Sequence, residues 1–223
     1  MRFTTIAGRA LAVAALALGF VFAGQQPALA AGPTPLFDGK TLEGWEGNDK
    51  YWSVVDGMIV GKNADEVKVS TYLFTKKKYK DFRLTAKVKV AKSKMHSGIA
   101  LWGRAAPEKG DPYTYMGPLV MFPFGWGMYD LHRRNGLPVD GKPAAKVGKD
   151  DDWNDLEILA VGSRVRVAVN GVAVVDFTDP KPELLVEGPI ALQLHSNKVP
   201  QEVQFKDLTI ETDPKEDKLV TVK

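Results

Sequence analysis

The sequence predicts an all-β protein, a sandwich of two antiparallel sheets of jelly-roll type. Three observations carry this prediction. About a dozen short β-prone runs are punctuated by Gly, Pro and Asn. In the clearest run, Phe82, Leu84, Ala86, Val88 and Val90 alternate with Arg83, Thr85, Lys87 and Lys89, which puts one face in a core and one in water. No segment sustains the 3.6-residue apolar period of a helix.

The elements follow in order. Residues 1–30 read as a secretory signal peptide: Arg2 and Arg9 precede the apolar stretch Ala10 to Ala23, and Ala28-Leu29-Ala30 supplies a small-x-small cleavage site. That stretch is short for a membrane span and is followed by Gly24-Gln25-Gln26-Pro27. Residues 31–212 are expected to form one β-sandwich domain, followed by a charged tail, 213–223, that frays. Within the domain, Tyr51 to Val55 and Met58 to Lys62 flank Asp56-Gly57, a hairpin signal. Ser70 to Thr75 leads into Lys76-Lys77-Lys78, read as a solvated edge. Ser97 to Arg104, Gly117 to Phe122 and Gly127 to Arg133 continue the series. Residues Gly136 to Asp152 are a loop by composition. The stretch from Asp152 to Phe177 is a meander with Asn170-Gly171 as a type I′ turn; Pro189 to His195 and Glu202 to Glu211 close the chain.

Composition narrows the chemistry. The formal charge of +3 falls to +1 without residues 1–30, which hold two arginines and no acid. No basic stripe or binding motif points to nucleic acid. There is no cysteine, hence no disulfide framework and no lipid attachment site. With three scattered histidines no zinc or redox-metal site is expected. No cofactor is predicted; a structural Ca²⁺ would fall to Asp38, Asp207 or loop carbonyls. The localisation expected is periplasmic or secreted, with no membrane insertion after cleavage.

Four groups of residues could carry chemistry. Asp155 and Glu157 sit two apart on one strand, so they share a face, together with Trp153. Paired carboxylates beside an indole suit glycoside chemistry; a solvated strand face is the alternative. Gln193 and His195 share the polar face of the Pro189–His195 run, and an imidazole is the best general acid or base available. Trp102 and Arg104 share a face if Ser97 to Arg104 is one strand. Tyr129 and Arg133 share a face with Leu131.

Ordered motifs then carry a resemblance. Leu36-Phe37-Asp38-Gly39-Lys40-Thr41-Leu42-x-Gly44-Trp45 and Trp52-x-Val54-x-Asp56-Gly57-x-Ile59-x-Gly61 open the series. Tyr79-x-Asp81-Phe82-x-Leu84, Ser97-Gly98-Ile99 and Trp153-Asn154-x-x-Glu157-Ile158 follow. Asn170-Gly171 and Gly188-Pro189-Ile190-x-Leu192-Gln193-x-His195 complete it. Together they resemble the 3-keto-disaccharide hydrolase family over Leu36 to Glu211. The resemblance implies a concanavalin A-like lectin/glucanase sandwich. It implies cleavage of a 3-keto glucoside or disaccharide, made by a partner sugar 3-dehydrogenase, through C2 proton abstraction, loss of the C1 aglycone and hydration of the glucal. On that basis His195 or Glu157 serves as base or acid, and Arg104 or Arg133 stabilises the enolate. Asp155 orients His195, while Trp102, Tyr129 and Gln193 position the sugar. Trp102-Gly103-Arg104 and Gly117 to Met121 depart from the family pattern, where many members have an earlier arginine and a Glu-Val-Gln-like stretch. A noncatalytic glycan-binding module and a two-carboxylate glycosidase are the competing readings.

Overall fold

The computed structural model describes Met1 and residues 32–92, 95–122, 127–132 and 146–223. Residues 2–31, which include the segment read as a signal peptide, Arg133 and most of the 136–152 stretch lie outside these. Strands β1 (Thr34–Pro35), β2 (Trp45–Glu46), β3 (Trp52–Val55) and β4 (Met58–Asn63) come first. Next are β5 (Thr71–Tyr79), β6 (Phe82–Lys92), β7 (Ser97–Ala100) and β8 (Arg104–Ala105). Then come β9 (Tyr115–Met116), β10 (Pro118–Phe122), β11 (Met128–Asp130) and β12 (Asn154–Val161). β13 (Arg164–Val169), β14 (Val172–Thr178), β15 (Gly188–Leu194) and β16 (Gln201–Thr212) complete the order.

Two antiparallel sheets result. The eight-stranded sheet runs β14-β13-β12-β6-β16-β4-β3, with β1 also paired to β16; the six-stranded sheet runs β11-β10-β7-β15-β5-β2. The predicted hairpins form because their turn residues take positive φ: Asp56 at 49° and Gly57 at 75°, Asn170 at 50° and Gly171 at 83°. Asn170 also ties the meander together, since its Nδ2 donates to the Val147 carbonyl at 2.7 Å and to Asn154 Oδ1 at 2.9 Å.

The core lies between the sheets. Phe82, Leu84, Ala86, Val88 and Val90 of β6 meet Ile190, Leu192 and Leu194 of β15, all buried, as the alternation predicts. The six-stranded sheet buries its second face as well. There Tyr72, Phe74, Ala100, Leu119, Met121 and Ala191 pack with Tyr115 of the β8–β9 hairpin. The Tyr115 hydroxyl accepts the Gly103 amide and donates to the Pro189 carbonyl, each at 2.9 Å, which pins the hairpin to β15. The approach is close enough to require glycine: a Cβ on Gly188 would stand 2.0 Å from the Gly103 carbonyl oxygen.

Two expectations fail. Ser97 to Arg104 is not one strand. Trp102 takes φ 53°, ending the alternation, so its indole enters the inter-sheet core while Arg104 starts β8 on the outside. The charged tail does not fray, but crosses the outer face of the eight-stranded sheet. Arg83 donates to the carbonyls of Glu216 (2.8 Å) and Lys218 (2.9 Å), and Arg166 to that of Asp217 (2.6 Å). Charge composition suggested a solvated segment; the tail's backbone instead supplies further acceptors for Arg83, already paired with Glu157 and Glu211 on the sheet, and an acceptor for Arg166.

Candidate functional site

The outer face of the six-stranded sheet holds the best-formed site. Antiparallel register sets Gln193 of β15 opposite Tyr72 of β5, and Leu119 of β10 opposite Tyr129 of β11. Directly opposed residues project from the same face. Gln193, Leu119 and Tyr129 line an inner cavity of about 350 Å³ together with Ser70, His96, Met121, Leu131 and His195, while Tyr72 lines an outer cavity beside it. This outer cavity, of about 630 Å³, shares Ser70, Tyr129 and Leu131 with the inner one and is bounded by the β8–β9 hairpin. Tyr129, half exposed, stands where the two join.

The imidazole of His195 has a defined tautomer. Its Nδ1 lies 2.5 Å from the Ser196 carbonyl, which can only accept, so Nδ1 carries the proton and Nε2 keeps its lone pair. The His96 ring packs against it at 4.3 Å between centroids, tilted 65°. Burial holds His195 below the usual histidine range, with the Ser196 bond acting the other way. Burial and then the neighbouring His195 bring His96 down to about 4. Both rings are therefore neutral at pH 7, as a general base requires. Gln193 is buried, and its Nε2 donates to the Tyr72 hydroxyl at 2.8 Å.

Of the residues singled out from sequence, this face gathers Gln193, His195 and Tyr129, and it adds His96, Ser70 and Tyr72. His96 was legible only as a turn residue beside Lys94 and Met95, with no pattern to link it to His195. Tyr72 lay in the Ser70–Thr75 run, which shows no alternation to mark its outward face.

The other candidates lie elsewhere. Glu157 is on β12 in the opposite sheet, fully buried on the outer face, and does not meet His195. It pairs with Arg83 and accepts the Val220 amide at 3.0 Å, the Thr221 amide at 2.8 Å and the Thr221 hydroxyl at 2.6 Å. Burial alone would raise this carboxyl; the bonds from Thr221, Val220 and Arg83 outweigh it and hold it below the ordinary range. Asp155 is exposed on that same sheet, 4.0 Å from Lys87 Nζ, and is far from orienting His195. Trp153, expected as a sugar platform, has Lys206 Nζ 4.1 Å over its ring. Trp102 is buried, its Nε1 donating to the Lys80 carbonyl at 2.5 Å, so it presents no face to a ligand. Arg104 lines a separate cavity of about 610 Å³ that shares no residue with the other two. Arg133 lies outside the described residues.

No group of three or more His, Cys, Asp or Glu side chains suited to a metal occurs among the described residues. The oxygens proposed for Ca²⁺ have other partners. Asp38 accepts the amides of Lys40 and Thr41 at 2.7 and 2.8 Å, and Asp207 lies 3.8 Å from Lys87 Nζ. No described helix is long and apolar enough to cross a membrane.

Known proteins share this architecture. A proposed glycosyl hydrolase from Parabacteroides distasonis ATCC 8503 superposes with a TM-score of 0.57 at 22% identity, covering 82% of this chain and 94% of its own. The carbohydrate-binding module CBM66 from Bacillus subtilis gives 0.54 at 12% identity, over 76% and 96%. The VIP36 exoplasmic/lumenal domain, in a Ca²⁺/Man3GlcNAc-bound form, gives 0.54 at 11% identity, over 81% and 89%. At these identities the likeness is one of fold, the lectin-like sandwich expected from the motifs. A search of curated proteins finds no match. Residues 32–211 match the 3-keto-alpha-glucoside-1,2-lyase-like domain, and the chain belongs to that family of carbohydrate-active proteins.

Proposed function

We propose that this protein cleaves 3-keto-glycosides by elimination at the inner cavity, with His195 as the base. The observation that carries this reading is the tautomer: a neutral imidazole whose Nδ1–H is held by the Ser196 carbonyl keeps a lone pair on Nε2. Family membership supports the substrate class. A ketone at C3 acidifies the C2 proton, which passes to Nε2 as the C2–H electrons form an enolate. The enolate collapses, the C1–O bond breaks with its electrons on the leaving oxygen, and that oxygen takes up a proton, matched by the one the His195 imidazolium gives up as it returns to its neutral form. The product is a 2-hydroxy-3-keto-glucal and the free aglycone. Water then adds, oxygen to C1 and hydrogen to C2, so the net change is hydrolysis. Ser70 and Tyr129 are the hydroxyl donors at this cavity that could face the enolate oxygen. The ketone itself must come from oxidation of a sugar hydroxyl, the task of a 3-dehydrogenase.

A two-carboxylate glycosidase is disfavoured, because no Asp or Glu is among the described residues lining the inner cavity. A glycan-binding module without turnover is the second reading, favoured by the fold shared with CBM66. The export reading still rests on residues 1–30 and is tested by N-terminal sequencing of protein recovered from the periplasm or medium. The function is tested by incubating the purified protein with a 3-keto-glucoside and its unoxidised parent. Cleavage of the keto sugar alone is expected. Cleavage of the parent alone sinks the proposal, and binding of either without turnover assigns the module.

A further inference from the structure

We infer that the inner cavity accepts an uncharged sugar ring and that Gln193 selects it by reading one ring hydroxyl. This rests on the reading of that cavity as the sugar site. Gln193 is 2% exposed, its Nε2 is committed to the Tyr72 hydroxyl at 2.8 Å, and its buried Oε1 has no hydrogen-bond partner. Buried polar groups are rarely left so. Tyr72, itself 2% exposed and opposite Gln193 in the strand register, holds the amide against the cavity wall. Turning the amide end for end does not remove the vacancy. Oε1 would then accept the Tyr72 hydroxyl, and the amide N–H groups would face the gap instead. A hydroxyl serves either arrangement, because it both donates and accepts.

Charge narrows the ligand further. The inner cavity's described lining holds no Lys, Arg, Asp or Glu, and its two imidazoles are neutral at pH 7. A carboxylate or sulfate there would lose its hydration with no counter-ion to replace it. The charged side chains on this side of the molecule line the neighbouring cavities: Lys68, Lys109, Glu108 and Asp130 the outer one, and Arg104, Lys76 and Lys78 the separate one. The sugar in the inner cavity is therefore neutral, and sugar acids are poor ligands.

Calorimetric titration with unoxidised methyl glucoside, its monodeoxy analogues and the glucuronate counterpart tests this without turnover. One monodeoxy analogue should bind at least about 10-fold more weakly than the parent, a modest share of what a hydroxyl-reading site can reach. The glucuronate should bind at least about 10-fold more weakly too. Gln193→Leu should bind the parent and that deoxy analogue equally. Tyr72→Phe, which keeps the ring and removes only the hydroxyl that orients the amide, should narrow the discrimination partway. Equal binding of all deoxy analogues, or discrimination that survives Gln193→Leu, overturns the inference, as does tight glucuronate binding. Keto-glucoside turnover without deoxy discrimination sinks the Gln193 role and leaves the lyase reading intact. Discrimination without turnover does the reverse, and no binding or turnover of any sugar sinks both.

Discussion

The Glu157 carboxylate accepts the Thr221 hydroxyl at 2.6 Å across 64 positions of chain, and Arg83 completes the cluster on its other side. This contact fastens the C-terminal residues over a charge that the fold has already buried. Removing the Glu157 charge leaves buried Arg83 only the partly exposed Glu211 carboxylate, 3.1 Å from its Nε, as counter-charge. Glu157→Gln should therefore destabilise the protein by about 3 kcal/mol, the lower end for a broken buried pair, read as a lower midpoint in urea unfolding. Lost turnover with an unmoved midpoint would instead make the carboxylate catalytic.

The same carboxyl links the tail to pH. Its pKa is depressed in the folded protein, so its contribution is complete above the unfolded value, about 4.3, and is lost as pH falls through the lower folded value. Amide exchange of residues 214–223 should stay slow through neutral and mildly acid pH and accelerate below that range. Equal exchange at neutral and low pH, after correction for intrinsic rates, would disconnect the tail from Glu157.

His195→Ala should lower kcat/KM for a 3-keto-glucoside by about 10²-fold or more, with the unfolding midpoint little changed. The pH profile gives the sign. The active form is neutral, and burial lowers the pKa of both His195 and His96. Activity should thus persist as pH drops through the ordinary histidine value of about 6.5, then fall at lower pH. An acid limb above 6.5 would argue against a buried, neutral base.

Gly188→Ala probes the hairpin that walls the outer cavity. The added Cβ would stand 2.0 Å from the Gly103 carbonyl oxygen, a backbone atom that cannot rotate aside. Overpacking of this kind costs about 3 kcal/mol. A melting temperature within a degree of wild type would show that β15 and the hairpin are looser than this contact implies.

Much of the architecture was legible because it is local. The alternation from Phe82 to Val90 and the turns at Asp56-Gly57 and Asn170-Gly171 needed no distant partner to be read. Trp102 was misread because the positive φ that breaks the period-two rule falls on the tryptophan itself and not on the neighbouring Gly103. The cavity face was half legible: Gln193 and His195 follow from the alternation of β15. His96 and Tyr72 do not, since one lies in a turn and the other in the short Ser70–Thr75 run, where no period-two pattern separates the faces.

What the sequence determined by itself, then, was the set of strands, their hairpins and which residues share a face. A two-sheet sandwich, however, has two outer faces, and side-chain alternation is the same on both. Only the tertiary structure decided which became a site and which was covered. Register across 121 positions brought Gln193 to Tyr72 beside an open cavity, whereas the tail closed over Glu157. Both outcomes turn on where buried polar atoms find partners. The Glu157 carboxylate found its partners within the chain, while the Gln193 amide keeps one end unpaired at the cavity wall.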